Sequence, residues 1–323
     1  MMMYSMLKSP PFWHKKSSLA ATILSPLGYL YGSATYLKQH LYSPQKLPVP
    51  VLCIGNVVLG GAGKTPTAIA VARMLQDSNY APHILTRGYG RHKRTLLRVD
   101  PQHHHFSDVG DESLILGCIA PTWVYHDRFQ AGQQAIAAGA NILIMDDGYQ
   151  NTHIVKDRHL LVVDTSQCIG NGKVFPAGPL REFLWSALRR ADAIMMIGES
   201  KCPLPYNGPI FQANLVPQSR LLPQNTEIIA FAGIGYPPKF KKTLQDLSFS
   251  LKQFIAFPDH YPYTTKDIEP LLAQDYPVIT TEKDWLRLPP AYQPHVHMLK
   301  VDLQLAEPVV FRKWLEGCFK SDL

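Results

Sequence analysis

The sequence predicts an α/β protein built as two α/β/α sandwich domains with mostly parallel sheets, the first of them a P-loop NTPase-like domain. Three observations predict it. Short apolar, β-branched runs alternate along the chain with amphipathic helical patterns, the signature of strand–helix–strand units. The first run, Val49–Ile54, leads through a glycine-rich stretch to Gly63-Lys64-Thr65 and then to a helical pattern, the strand, loop, helix order of a phosphate-binding loop. A proline-bearing interval, Pro203–Pro223, separates this series from a second one. At 323 residues, 46% apolar and 18% charged, the chain is long and apolar enough for two cores. The expected boundaries are 1–44 for an N-terminal apolar, membrane-associating helix, 45–215 for the P-loop domain and 216–323 for a second α/β domain.

The N-terminal segment comes first. Ser17–Leu37 carries no charge and is flanked by Lys15, Lys16 and Lys38. Its length approaches the roughly 20 residues that span a bilayer, but Pro26, Gly28, Gly32 and several Ser, Thr and Tyr dilute its apolarity. Phe12, Trp13, Tyr29, Tyr31 and Tyr36 between basic flanks suit a membrane–water interface. The expectation is a helix lying in the cytoplasmic face of a membrane. A single span is the runner-up, and a helix packed on the domain is the plain alternative. In each case Pro26 is expected to kink or break it.

In the loop, Gly60, Gly61 and Gly63 lack a Cβ, so the backbone can curl its N–H groups against phosphate oxygens. The helix that follows adds the positive end of its dipole. Val58, Leu59, Gly60, Gly61, Ala62, Gly63, Lys64 and Thr65 are the expected nucleotide cradle, with Lys64 on the β- and γ-phosphates and the Thr65 hydroxyl on Mg²⁺. Pro66 suits the first helical turn. Val58 stands where the usual pattern has glycine.

A second strand, His83–Thr86, ends in the basic turn Arg87-Gly88-Tyr89-Gly90-Arg91, at the strand end where α/β folds place ligands. His103-His104-His105 reads as a solvated loop. Gly110-Asp111-Glu112-Ser113 opens a helix with two carboxylates at its positive end, which by itself needs no more than a capping role. The strand Asn141–Met145 ends in Asp146-Asp147, where a P-loop enzyme keeps its acidic Mg²⁺ site. Leu160–Val163 and Ala193–Ile197 complete the sheet. Between them the turn Val174–Glu182 carries Arg181, able either to clamp a phosphate or to form an ion pair with Glu182 or a neighbour. In the second series Glu227–Gly233, Phe254–Phe257, Val278–Thr281 and His297–Val301 read as strands, and Lys239–Leu247 as a helix. Pro258-Asp259-His260-Tyr261 follows the second of these strands. No second phosphate loop occurs.

A net charge of +7 and a pI near 9.0 favour anionic partners. No stretch interleaves dense Lys/Arg with aromatics, so nucleic acid ranks last among them. Five scattered cysteines without a CxxC pair fit reduced thiols better than a disulfide framework or a zinc site. The absence of a guanine-specifying Asn-Lys-x-Asp favours ATP.

Taken in order, GNVVLGGAGKTP, TRGYGR, VGDES, DDGYQN, FPAGPLRE, FPDHYPY and TTEKD resemble the motifs of the tetraacyldisaccharide 4'-kinases, the lipid A kinases of Gram-negative bacteria, over nearly the whole chain. The resemblance implies a membrane-associated kinase with ATP and Mg²⁺. It would transfer the γ-phosphate to the 4'-hydroxyl of a tetraacylated glucosamine disaccharide 1-phosphate, giving lipid IVA, at the cytoplasmic face of the inner membrane. It further implies Asp111 as catalytic base, His260 as its partner, and Lys64 and Arg181 as phosphate-binding groups. Thr65, Asp146, Asp147 and Glu112 would be the metal-region residues. Because His260 lies in the second domain, domain closure would assemble the site. Asn151 and Ser113 depart from the family pattern, which has His and Pro there. Two rival readings are a P-loop kinase of a small soluble metabolite and a membrane-bound nucleotide switch that needs no acceptor.

Overall fold

The computed structural model describes residues 10–218 and 222–319. A short 3-10 turn, Pro11–His14, precedes helix α1 (Leu19–Leu41). Then follow β1 (Val51–Gly55), α2 (Lys64–Asp77), β2 (Pro82–Thr86), β3 (Leu97–Arg98), α3 (Phe106–Val109), α4 (Asp111–Gly117), β4 (Thr122–Val124), α5 (Arg128–Ala137), β5 (Ile142–Asp146), β6 (Arg158–Asp164), α6 (Leu184–Arg190), β7 (Ala193–Ile197) and β8 (Ile210–Pro217). The second series holds β9 (Glu227–Ala232), α7 (Pro237–Asp246), β10 (Ser250–Ala256), α8 (Thr265–Leu272), β11 (Val278–Thr281), α9 (Glu282–Leu286) and β12 (His297–Leu299). The chain closes with β13 (Val301–Leu305) and α10 (Pro308–Gly317).

These elements form two compact units: residues 10–215 with 303–319, and Val216–Asp302. In the first, nine strands run in the order β13-β8-β7-β6-β1-β5-β2-β4-β3. From β8 to β4 all neighbours pair parallel, and β3 is antiparallel to β4. Every residue of β1 and β5 is buried, which is why both read as unbroken apolar runs rather than as alternating ones. Helix α2 presents Ala68, Val71, Ala72 and Leu75 to Leu52, Ile54 and Ile144 on one face of the sheet. On the other face Cys53, Leu161 and Val163 pack with Tyr149, Val174 and Leu180. From β1 the chain moves outward to β2 and β4, returns to β5 beside β1, and then builds β6, β7 and β8 on the opposite side. The carboxyl end of β1 is therefore a topological switch point, where α/β sheets open a crevice for ligands. In the second unit β10-β9-β11-β12 form a parallel sheet, with Phe240 and Leu244 of α7 on one face and Ile268 and Leu271 of α8 in the other core cluster.

Several expectations need correction. The proline-bearing interval 203–223 contains β8, whose Phe211 and Ala213 are buried between exposed Ile210 and Gln212, a half-buried strand with prolines at its flanks. Residues 303–319 belong to the first unit, because Phe311 and Leu315 of α10 pack into the core beside Phe211, with the Phe211 and Phe311 rings 4.9 Å apart. His297–Val301 is not one strand: β12 lies in the small sheet and β13 in the large one. Helix α1 continues through Pro26 without ending there. The missing N–H removes one helical bond, while Lys173 Nζ holds the turn before it through Ala21 O and Ser25 Oγ. Cys168 and Cys202 form a disulfide. They are 34 residues apart in sequence, but each follows one of two adjacent parallel strands, β6 and β7, which brings their Cα atoms to 5.5 Å. No described helix is long and apolar enough to cross a membrane.

Candidate functional site

The loop Asn56–Gly63 occupies the switch point. Gly60 has φ +115°, a conformation that residues with a Cβ rarely adopt, and a Cβ built on Gly60 or Gly61 meets nothing within 4 Å. The protein's own packing does not crowd these positions, so the curled backbone is left bare for an anion to approach. Gly63 caps α2 at φ +86°, and the first turn of α2 holds no acidic residue to offset the positive end of its dipole. Lys64 opens the helix. Its Nζ lies 3.3 Å from Asn56 Oδ1 and 3.5 Å from Asp147 Oδ1. Thr65, next along, is buried.

Val58, in the place of the usual glycine, has a structural reason. It forms an antiparallel bridge with Leu180 of the Phe175–Glu182 turn. Leu59 N–H donates to Pro179 O at 2.9 Å and Arg181 N–H to Val57 O at 2.7 Å. The first half of the loop is thus an extended strip paired to that turn, a conformation a β-branched residue accepts. The same pairing delivers Arg181 to the loop. Arg181 Nη1 donates to Asp147 Oδ1 at 3.0 Å, so its ion pair is with Asp147 and not with Glu182.

Asp146 ends β5, which neighbours β1, and is buried. Asp147 follows with φ +49°, a left-handed conformation that Asp tolerates better than most residues. Desolvation by the crowded strand end pushes the partly exposed Asp147 carboxyl up, but Arg181 and Lys64 outweigh it and hold it well below the usual carboxylate range. Charged at neutral pH, it sits between two cations beside the loop. Thr65 and the two aspartates offer hard oxygen donors, the chemistry Mg²⁺ prefers. Among the described residues, no group of three or more His, Cys, Asp or Glu gathers closely enough to hold a metal, so Glu112 does not join Asp146 and Asp147 in one cluster.

Sequence reasoning missed the hydrogen-bonded support beneath these groups. Gln150 Nε2 donates to Asn56 O and to Glu182 Oε1, both at 3.0 Å. Glu182 is buried and accepts from Arg190 Nη2 at 2.6 Å and from Gln39 Nε2 of α1 at 3.0 Å. Gln150 and Glu182 were visible as polar residues within motifs, but pairings across 32 and 143 positions leave no periodicity to read. At the departing position Asn151, the side chain accepts from His153 N–H at 2.9 Å and closes a local turn.

At the end of β2, which neighbours β5, the turn Arg87–Arg91 lies backbone to backbone with Gly110-Asp111. A Cβ on Gly110, at φ +92°, would fall 2.7 Å from Tyr89 O. Asp111, first residue of α4, is buried and accepts from Glu112 N–H at 2.8 Å. Ser113, the other departing position, is buried two residues on. Arg128, buried at the start of α5, donates to Tyr125 O. Burial, with Arg87 and Arg91 nearby, pushes its guanidinium down to about 10, so it still carries its charge at pH 7. In the second unit His260 has φ +56°, its N–H donates to Gly233 O at 3.0 Å, and its Nε2 is 3.9 Å from Asp259 Oδ1.

The first unit therefore collects at adjacent strand ends an anion cradle, a lysine at a helix start, an acidic pair and a buried aspartate. A family model described as tetraacyldisaccharide-1-P 4'-kinase matches residues 20–320. The chain belongs to this family. It is 40% identical to a tetraacyldisaccharide 4'-kinase of Rhodospirillum rubrum, covering 96% of this chain and 97% of that one. With its counterpart in Paramagnetospirillum magneticum it shares 42% over 94% and 96% of the two chains. The fold matches the crystal structure titled "apo" form LpxK from Aquifex aeolicus in complex with ATP, with TM-score 0.77 and 27% identity over 93% of this chain and all of that one. The protein is accordingly a kinase of lipid A biosynthesis with a lipid disaccharide substrate.

Proposed function

We propose that this kinase moves the γ-phosphoryl group of ATP to the 4'-hydroxyl of a tetraacylated disaccharide 1-phosphate through the groups at the ends of β1, β2 and β5. The observation that carries the reading is Lys64 held between Asn56 and Asp147 at the mouth of an open glycine loop. The loop Val58–Thr65 and Lys64 bind the β- and γ-phosphates, and Arg181 adds a second positive charge for the transferring group. Thr65, Asp146 and Asp147 would hold Mg²⁺, which neutralises phosphate charge when bound.

Asp111 takes the proton of the sugar hydroxyl as its oxygen bonds to the γ-phosphorus and the bond to the bridging oxygen of ADP breaks. His260 shares or orients that proton. Exposed Arg87 and half-buried Arg91, with buried Arg128 behind them, place three cations near the end of β2, a fitting surface for an anionic, phosphorylated substrate.

Mass spectrometry of the lipid after incubation with Mg-ATP and a tetraacylated disaccharide 1-phosphate in mixed micelles tests this. The expected result is gain of one phosphoryl group, reduced on the order of 10²- to 10³-fold in Asp111→Asn and about 10²-fold in His260→Ala. ATP hydrolysis without lipid product would overturn the reading in favour of the nucleotide switch.

We further propose that the kinase works at the cytoplasmic, anionic face of the inner membrane through α1. Ala21, Gly28 and Gly32 of this helix face the protein, with Gly32 against the Phe183 ring. Leu19, Ile23, Leu27, Leu30, Leu37 and Leu41 are exposed, beside exposed Lys15, Lys16 and Lys38. An apolar stripe with basic flanks is the pattern of a helix lying in an interface. Ile23→Asp with Leu30→Asp is expected to reduce co-sedimentation with vesicles containing anionic lipid by at least about tenfold, since each charge must be drawn out of the interface. Unchanged sedimentation would remove the membrane role of this face.

A further inference from the structure

The TTEKD motif, residues 280–284, closes β11 and opens α9. Its last residue, Asp284, is completely buried at the carboxyl end of the small sheet and pairs with equally buried Arg287, Asp284 Oδ1 to Arg287 Nη2 at 2.9 Å. Asp284 Oδ1 also accepts from Gly233 N–H at 2.9 Å and from the Tyr263 hydroxyl at 2.7 Å, and Oδ2 accepts from the Thr281 hydroxyl at 2.6 Å. Arg287 Nη2 donates to Gly233 O at 2.9 Å, and Nη1 to Tyr261 O at 3.4 Å. Burial, with the Asp284 charge adding to it, raises the Tyr263 phenol so that it remains a donor.

Apart from the ion pair itself, the contact to Thr281 and a bond from Arg287 Nε to Lys283 O at 3.1 Å, these contacts end on the loop that carries His260 or on the glycine that holds it. Gly233 O accepts the His260 N–H, and both peptide groups of Gly233 are taken up by the buried ion pair. Residues 261 and 263 on the far side of His260 are fixed by the same two side chains. A Cβ on Gly233 would meet Tyr263 Oη at 2.8 Å and Pro258 O at 2.9 Å, so the glycine lies enclosed by the loop. His260 itself sits at φ +56°, a strained setting that persists only where surrounding structure over-determines it. A buried ion pair is a costly way to gain stability, because well-packed apolar residues usually do as well. Its worth lies in rigid, directional contacts.

We propose that Asp284 and Arg287, with Tyr263, are positioning residues for phosphoryl transfer: they lock the 258–263 loop so that the His260 imidazole is presented in one orientation. The inference rests on the role of His260 proposed above. It predicts that damage to the pair is felt through His260 and through no other group.

The test is a set of double-mutant cycles with His260→Ala, read as kcat and KM for lipid phosphorylation. Tyr263→Phe removes one donor and Arg287→Lys keeps the charge but loses the fork. Asp284→Asn neutralises the hub, and the two milder variants carry the test if it folds poorly. In the otherwise native protein each is expected to lower kcat about 5- to 50-fold with KM for ATP unchanged. In the His260→Ala background each is expected to cause less than about a twofold further loss. The same fold-loss in both backgrounds overturns the inference and leaves the role of His260 standing. If His260→Ala alone leaves the rate unchanged, the reading of His260 fails, and the inference with it.

Discussion

Lys64→Ala is expected to reduce phosphoryl transfer on the order of 10³-fold or more while leaving the protein folded. Catalysis of phosphoryl transfer is chiefly positioning and charge neutralisation, and in the proposed reaction Lys64 supplies both at one point. Its ammonium is anchored by Asn56 and Asp147, so it needs little reorganisation when negative charge builds on the transferring oxygens. Lys64→Arg should rescue poorly, because a wide planar fork cannot replace a point charge seated 3.3 Å from Asn56 Oδ1. Stability should change little: Asp147 keeps Arg181 and is itself partly exposed. Single-turnover transfer to the lipid, followed by product mass alongside thermal melts, measures both quantities. Retention of more than about a tenth of the rate would mean that Lys64 does not contact the reacting phosphate.

What the sequence made legible follows the range of the interactions involved. Loop, strand and helix at residues 49–77 are contiguous, so turn chemistry, β-branching and helical spacing all register locally, and β1 and α2 appear close to where they were expected. The strand at β8 also left a signal, with Phe211 and Ala213 alternating with Gln212 and Asn214, but its flanking prolines read as a linker. Proline at a strand's end is compatible with an edge or a boundary, so composition misled where period-two alternation would have served. The Cys168–Cys202 bond, the Glu182–Gln39 contact and the return of α10 to the first unit had no local signature at all. Each depends on which strands become neighbours, and strand order β6-β1-β5-β2 follows from the fold rather than from any one segment. The site divides in the same way. Lys64, Asp147 and Arg181 were named from motifs, whereas the partners that fix them, Asn56 and Gln150, emerged only with the topology.

Gly110→Ala should show how tightly the Asp111 carboxylate, the base in the proposed reaction, depends on backbone geometry. Gly110 has φ +92° and ψ +147°, a region open essentially to glycine alone, and it precedes Asp111 directly. An alanine there carries about 1–3 kcal/mol of backbone strain, and its Cβ would press on Tyr89 O at 2.7 Å. Relief requires the Gly110-Asp111 turn to move away from Arg87–Arg91, which shifts the carboxylate. A displacement of about 1 Å at a reacting group costs roughly 10²-fold, so the rate should fall by that factor, with Tm lower by roughly 5–10 °C. Gly139→Ala separates the two effects. Gly139 has φ +99°, its added Cβ meets nothing within 4 Å, and it lies between α5 and β5 at the opposite end of the strand from Asp146. It should lose about 1–2 kcal/mol of stability from left-handed strain and keep the native kcat. Equal loss of rate in both variants would tie the effect to general destabilisation. Loss confined to Gly110→Ala would show that the close approach of the two turns exists to place Asp111, and that the role proposed for it as base depends on the backbone as much as on the carboxyl group.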